Sequence, residues 1–194
     1  VGACWHPPLA NDIEITYDPA LARRVGAVVR EVRPRIMLVP SPQDYMEDHV
    51  IAGRLAVTAA FSRTMLNFPS DPPLPPVADP VTLYHALPYG LRGPLGEAIR
   101  PERFVDIGGV MAEKRTMLAC HRSQKEWLDR SQGVGSYLAT MEGFAREVGA
   151  MSGKFALAEG WRRRSHLGFC GPADDPLAKA LGGSCLVAGT GPGH

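Results

Sequence analysis

Two carboxylates and an imidazole stand close together in the run Asp44-Tyr45-Met46-Glu47-Asp48-His49. Side chains of these types at one turn can hold a divalent metal, fix a water, or cap a helix that begins there. Either Asp44 or Asp48 suits the capping role, and Glu47 and Asp48 would be favoured by the positive end of the helix dipole. Residue types alone leave both readings open. A second group, Arg162-Arg163-Arg164 with His166 beside Trp161, has the donors to hold an anionic sugar, a phosphate or a nucleic-acid backbone. Read as a solvated face, it would pair with acids such as Glu159.

The surrounding pattern gives these residues a place. Ile36 to Val39 is a short continuous apolar run, the pattern of a strand buried on both faces. From His49 to about Leu66 the chain reads as a helix that is apolar nearly all round (Val50, Ile51, Leu55, Val57, Phe61), hence buried against a sheet or a second subunit. Asp44 to His49 therefore follow a strand and precede a helix, which is where an open α/β sheet puts its chemistry. Upstream, Asp18 to Val32 shows helical spacing, with Asp18-Pro19 as N-cap and first turn and Pro34 just past the end.

Further strands are expected over Val81 to Leu87 and Phe104 to Ile107, and helices over Met111 to Gln124 and Tyr137 to Val148. Phe155 to Trp161 is a strand or a short helix. Asn67 to Pro80 is too rich in proline for helix or central strand, Asp129 to Gly135 breaks the pattern, and residues 171–194 read as a loop-like tail. His85 falls in a strand-like run, where alternation points it away from Tyr84 and a satisfied structural role is expected. His121 and Ser123 are two apart on one helix, so they do not face each other as a dyad.

At 194 residues and 45% hydrophobic content the chain can bury a substantial core, which argues against disordered and fibrous classes and for one domain over residues 1–194. A net charge of +1 gives no overall pull toward nucleic acid or an anionic membrane, and no stretch approaches the ~20 apolar residues that span a bilayer. Cys4, Cys120, Cys170 and Cys185 form no Cys-x-x-Cys pair, so neither a zinc ribbon nor a redox motif is indicated. A reduced, cytoplasmic setting is expected. The all-apolar helix leaves room for a homo-oligomer.

Three separated stretches carry a family resemblance. Val32-Arg33-Pro34-Arg35-Ile36-Met37-Leu38-Val39-Pro40-Ser41-Pro42-Gln43-Asp44, followed by Asp48-His49, resembles the segment of the PIG-L (LmbE-like) de-N-acetylases in which an Arg-Pro, an apolar run and an Asp-rich turn lead to a zinc-ligand histidine. Lys114 to Gln124, with His121, Ser123 and Gln124, is similar to a helix that those deacetylases carry downstream. Ala158-Glu159-Gly160-Trp161-Arg162 is similar to their Ala-Glu-x-Phe-Arg segment.

The resemblance implies a Rossmann-like three-layer α/β sheet with helices on both faces, and a zinc-dependent hydrolase that removes acetyl from an N-acetylated sugar or related amine. It makes His49 a zinc ligand, Asp48 the neighbour that orients its imidazole, and Asp44 a contact to substrate or a brace for the loop. Tyr45, His121 and Gln124 would line the substrate site. Two departures stand out. The family's opening Ala-His-Pro-Asp-Asp-x-Glu motif, source of two further ligands and the general base, is not in the chain; His6-Pro7-Pro8 shares only the His-Pro pair. The fold is therefore expected to be N-terminally incomplete, with the remaining ligands upstream of Val1, and this portion alone inactive. Met46 also replaces a histidine that helps the oxyanion, and methionine cannot donate a hydrogen bond. Tyr45 or His121 is the candidate substitute. The competing expectation is a metal-free carbohydrate-binding or scaffolding relative.

Overall fold

The structure is a computed structural model that describes residues 2–122 and 136–189. By contact it divides into two compact units, Val1–Ile99 with Arg162–Pro176, and Arg100–Trp161 with Leu177–His194.

In the first unit, helix α1 (Pro19–Val32) starts where its cap predicts. The Asp18 carboxylate accepts from Ala20 N at 2.7 Å and Leu21 N at 3.2 Å, and the helix ends at Arg33 in the left-handed region. Strand β1 (Ile36–Val39) pairs in parallel with β2 (Thr82–Ala86), with Ile36 opposite Thr82 and Val39 opposite His85. Contrary to the apolar run's suggestion, β1 is not covered on both faces: only Val39 is buried and Leu38 is 54% exposed. β2 is the buried strand.

Helix α2 (Glu47–Ser62) begins two residues earlier and ends four earlier than its apolar pattern suggested. Its N-cap is Met46, with no side-chain cap, so neither Asp44 nor Asp48 caps it. Nor is it buried all round. Leu55 packs with Leu21 and Ala22 of α1, and Ala60 with Val81, Leu83 and Phe169, while Phe61 is 45% exposed.

The proline-rich connection between α2 and β2 is loop, and two arginines hold it. Arg30, 5% exposed, donates to the carbonyls of Leu74, Ser62, Met65 and Phe68 at 2.8–3.2 Å. Arg63 donates to those of Asp79, Ala60, Gly168 and Phe169. Prolines bring carbonyls without N–H groups, so a donor-rich side chain settles a surplus of acceptors. Burial lowers the pKa of both arginines, though a guanidinium remains charged at any ordinary pH.

In the second unit, β3 (Arg103–Asp106) pairs antiparallel with β4 (Ala158–Arg163), Arg103 opposite Trp161 and Asp106 opposite Ala158. This settles the segment around Phe155 to Trp161 as a strand. Helix α3 (Met111–Ala119) and helix α4 (Ser136–Ser152) accompany it, α4 coming so close to the chain ahead of β4 that a Cβ at Gly149 would sit 2.7 Å from the Ala156 carbonyl oxygen. The expected loop-like tail is in part structured: a short helix α5 (Pro176–Leu181) leads to β5 (Cys185–Val187), antiparallel to β3 with Val105 opposite Cys185. Backbone pairing with a distant strand overrides the Gly-rich composition there. Five strands of mixed direction with helices make the α/β class expected from the sequence.

Candidate functional site

The loop from β1 to α2 brings the Asp44-His49 pair together. Asp44 is 6% exposed, and its two oxygens divide their work: Oδ1 accepts from Met46 N at 3.0 Å, closing a tight turn, and Oδ2 lies 3.2 Å from His49 Nδ1. A carboxylate can only accept there, so the contact places a proton on Nδ1, and in the neutral ring Nε2 keeps its lone pair. The His49 side chain is 44% exposed while the Asp44 side chain is 5% exposed. A buried carboxylate that fixes the tautomer of an accessible imidazole is the arrangement used to orient metal-bound and proton-accepting histidines.

The orienting carboxylate is thus Asp44 and not Asp48, which lies in the first turn of α2. Spacing explains the exchange. Asp48 adjoins His49 on the helix and so points elsewhere, whereas the turn folds Asp44 back over the first helical turn. Tyr45, beside the pair, is 62% exposed, and its ring centroid is 6.1 Å from that of Tyr89 at an angle of 57°. Tyr89 is 57% exposed, so two accessible aromatic rings meet at the residue that follows Asp44.

A zinc site needs at least three protein donors. Among the described residues no group of three or more His, Cys, Asp or Glu side chains is placed to hold a metal ion. His49 Nε2 is one available donor, and the described residues do not complete the set.

Behind the loop, the first unit places three more polar side chains on one side of β2. His85 is 6% exposed; its Nδ1 is 2.9 Å from the Pro40 carbonyl oxygen, which only accepts, so Nδ1 carries the proton. Its Nε2 then accepts from Arg164 Nη1 at 3.4 Å. Burial, then the cations Arg164 and Arg162, push the His85 pKa down against the Pro40 contact, favouring the neutral ring. Arg162 Nη1 donates to Gln43 Oε1 at 2.7 Å, next to Asp44 in sequence. The expected structural role of His85 holds, and it reaches further than local satisfaction: His85 and Arg162 both brace the loop that carries Asp44 and leads to His49 at the start of α2.

The arginine run therefore does not pair with Glu159. Lys114 takes that carboxylate in the second unit, and Arg163 donates to the Gly171 and Pro172 carbonyls. Sequence spacing had one usable hint of this, since Arg162 and Arg164 alternate onto the same side of an extended segment and Arg163 onto the other. His121, exposed just beyond α3, belongs to the second unit. Gln124 lies outside the described residues, as does Ser123. His6 is an exposed loop residue. All four cysteines are free thiols, and no helix among the described residues is long and apolar enough to cross a membrane.

No family model matches the chain, and no curated protein matches it. Solved structures do. One is the N,N'-diacetylchitobiose deacetylase from Pyrococcus horikoshii complexed with its inhibitor MPG: 21% identity and a TM-score of 0.63 over 87% of this chain and 60% of that one. Another is the conserved protein TT1542 from Thermus thermophilus: 20% identity and a TM-score of 0.59 over 79% of this chain and 62% of that one. The chain spans less than two thirds of the length of each, and at these identities the likeness is one of fold.

Proposed function

We propose that the chain is the larger portion of a de-N-acetylase of the PIG-L type, a hydrolase that releases acetate from an N-acetylated sugar or a related amine. One observation carries the reading: a buried Asp44 that holds Nδ1 of a His49 side chain that is 44% exposed, at the carboxyl end of a parallel strand. The fold likeness to a protein described as a diacetylchitobiose deacetylase supports it.

The residues present have distinct tasks in that reaction. Asp44 holds the imidazole and the turn; His49 offers Nε2 either to a metal ion or to a proton from water; Tyr45 supplies a hydroxyl and, with Tyr89, an apolar face on which a pyranose ring can lie. Zinc belongs to the proposal: it would activate water and polarise the amide carbonyl, and it would need donors from outside the described residues. Tyr45 is the nearest candidate for the hydrogen-bond donor that Met46 cannot be.

The exposed Tyr45–Tyr89 pair favours a second reading, a carbohydrate-binding relative without hydrolysis. Acetate release from N,N'-diacetylchitobiose, measured on the polypeptide that carries this chain in its source, separates the two. The leading reading expects release that chelation abolishes, added zinc restores and His49→Ala removes. Sugar binding that is indifferent to chelators, with no acetate, establishes the second. Absence of both binding and release defeats both.

A further inference from the structure

We propose that the first unit carries a separate binding cleft for a small organic anion, a carboxylate on an alkyl or aryl body, with Arg164 as the anchoring cation. The cleft has a volume of about 590 Å³ and is lined by Val57, Thr58 and Phe61 of α2 and by Arg164, Ser165, Leu167 and Phe169 of the segment after β4. That volume is within the usual range for small-molecule sites. Four walls are apolar, two carry hydroxyls, that of Thr58 already paired with the Tyr17 hydroxyl at 2.9 Å, and one is a guanidinium.

The cation is placed rather than loose. Arg164 N donates to the Leu83 carbonyl at 2.9 Å, Nη1 donates to His85 Nε2 at 3.4 Å, and Cζ stands 5.8 Å from the centre of the Phe169 ring. Its fixed partner, His85, is a neutral ring already committed at Nδ1, so it offers no counter-charge. Among the described residues no carboxylate forms an ion pair with Arg164. A guanidinium has five N–H donors in a planar fork that matches a carboxylate, and most of them stay available here.

The apolar walls are equally set. Phe61 and Phe169 meet edge to face with centroids 5.7 Å apart, and Gly168, at φ +83°, admits the Phe61 ring where a Cβ would come within 2.3 Å of it. An inorganic anion would leave these rings without a partner, and a neutral alkyl compound would leave the guanidinium without one. An amphipathic anion satisfies both. Thr58 is nine residues beyond His49 on α2, roughly 13 Å along the axis at the helical rise per residue, so the cleft is distinct from the Asp44–His49 pair.

The test is calorimetric titration of the whole chain at pH 7.5 with hexanoate, hexan-1-ol and inorganic phosphate in turn. Hexanoate is expected to saturate a single site, with hexan-1-ol and phosphate weaker by about ten- to a hundredfold, the loss that follows from removing a charge-assisted hydrogen bond or the apolar contact. Leu167→Asp puts a competing carboxylate beside Arg164 at a position already 70% exposed, so folding is spared and hexanoate binding should fall by a similar factor. Arg164→Lys should keep part of the affinity and Arg164→Gln little. His49→Ala should leave hexanoate binding unchanged whether or not the proposed hydrolase activity exists. Equal affinity for hexan-1-ol and hexanoate, unchanged hexanoate binding in Leu167→Asp, or failure of hexanoate to saturate overturns the proposal.

Discussion

Asp44 Oδ2 stands 3.2 Å from His49 Nδ1 while its other oxygen closes the turn on Met46 N, so one buried carboxylate sets both the backbone of the β1–α2 loop and the imidazole in the first turn of α2. The two residues should therefore respond very differently to truncation. Asp44→Ala removes two hydrogen bonds from a buried position and should cost about 1–3 kcal/mol, lowering Tm by roughly 3–10 °C for a chain of this size. His49→Ala removes a half-exposed ring and should stay within about 0.5 kcal/mol. Thermal unfolding followed by circular dichroism checks both; equal effects would mean that Asp44 does not organise the loop.

Arg30 presents a second contrast. It lies in the last turn of α1, where a charged residue reads as a solvated face, yet its guanidinium ties the Ser62 carbonyl at the end of α2 and three carbonyls of the α2–β2 connection. Arg30→Met keeps the apolar stem and strands those acceptors, so it should cost about 2–4 kcal/mol, on the order of 10 °C in Tm. Limited proteolysis should then cut within residues 66–76. Wild-type resistance in the variant would show that the loop is held by its own prolines instead.

These two cases mark how much of the molecule is written locally in the chain. Helix α1 was legible because its signals are local: Asp18-Pro19 at the start, helical spacing, and Pro34 beyond the end. The strand-to-helix setting of Asp44 to His49 was legible for the same reason, as an apolar run followed by an acidic turn. The division of labour within it was not, because Asp44 reaches His49 only through a turn set by Asp44's own bond to Met46 N. Strand β5 was hidden because a short Gly-rich stretch gains its structure from β3, far away in sequence. Arg162 and Arg164 looked like surface charge because Gln43 and His85 come to them only through strand pairing.

The neutral state of His85 predicts a pH dependence of stability. Burial, with Arg164 and Arg162 adding to it, holds its pKa in the folded chain below the ordinary 6.5. Below about pH 6.5 the unfolded chain then binds a proton that the folded chain does not, so stability falls as pH drops from 6.5 toward the folded value and is unaffected above that window. Urea midpoints at pH 7.5, 6.0 and 5.0 should decline in the wild type more than in His85→Gln, where position 85 has nothing to titrate. Parallel declines in the two proteins would place the pH sensitivity elsewhere.

Gly168 gives the last prediction, and here backbone and packing act together. Its φ of +83° is open to glycine and strained for any residue with a Cβ, and a Cβ at this position would lie 2.3 Å from the Phe61 ring. Gly168→Ala should cost about 1–3 kcal/mol, from backbone strain together with displacement of the ring. Because Phe61 is 45% exposed, the ring has room to swing outward, so the chain should still fold. The swing would separate Phe61 from Phe169 and alter the near-ultraviolet dichroism of the aromatic residues while leaving the far-ultraviolet spectrum unchanged. Gly168→Ala with wild-type stability and an unchanged near-ultraviolet spectrum would mean that the segment after β4 does not hold its conformation against α2.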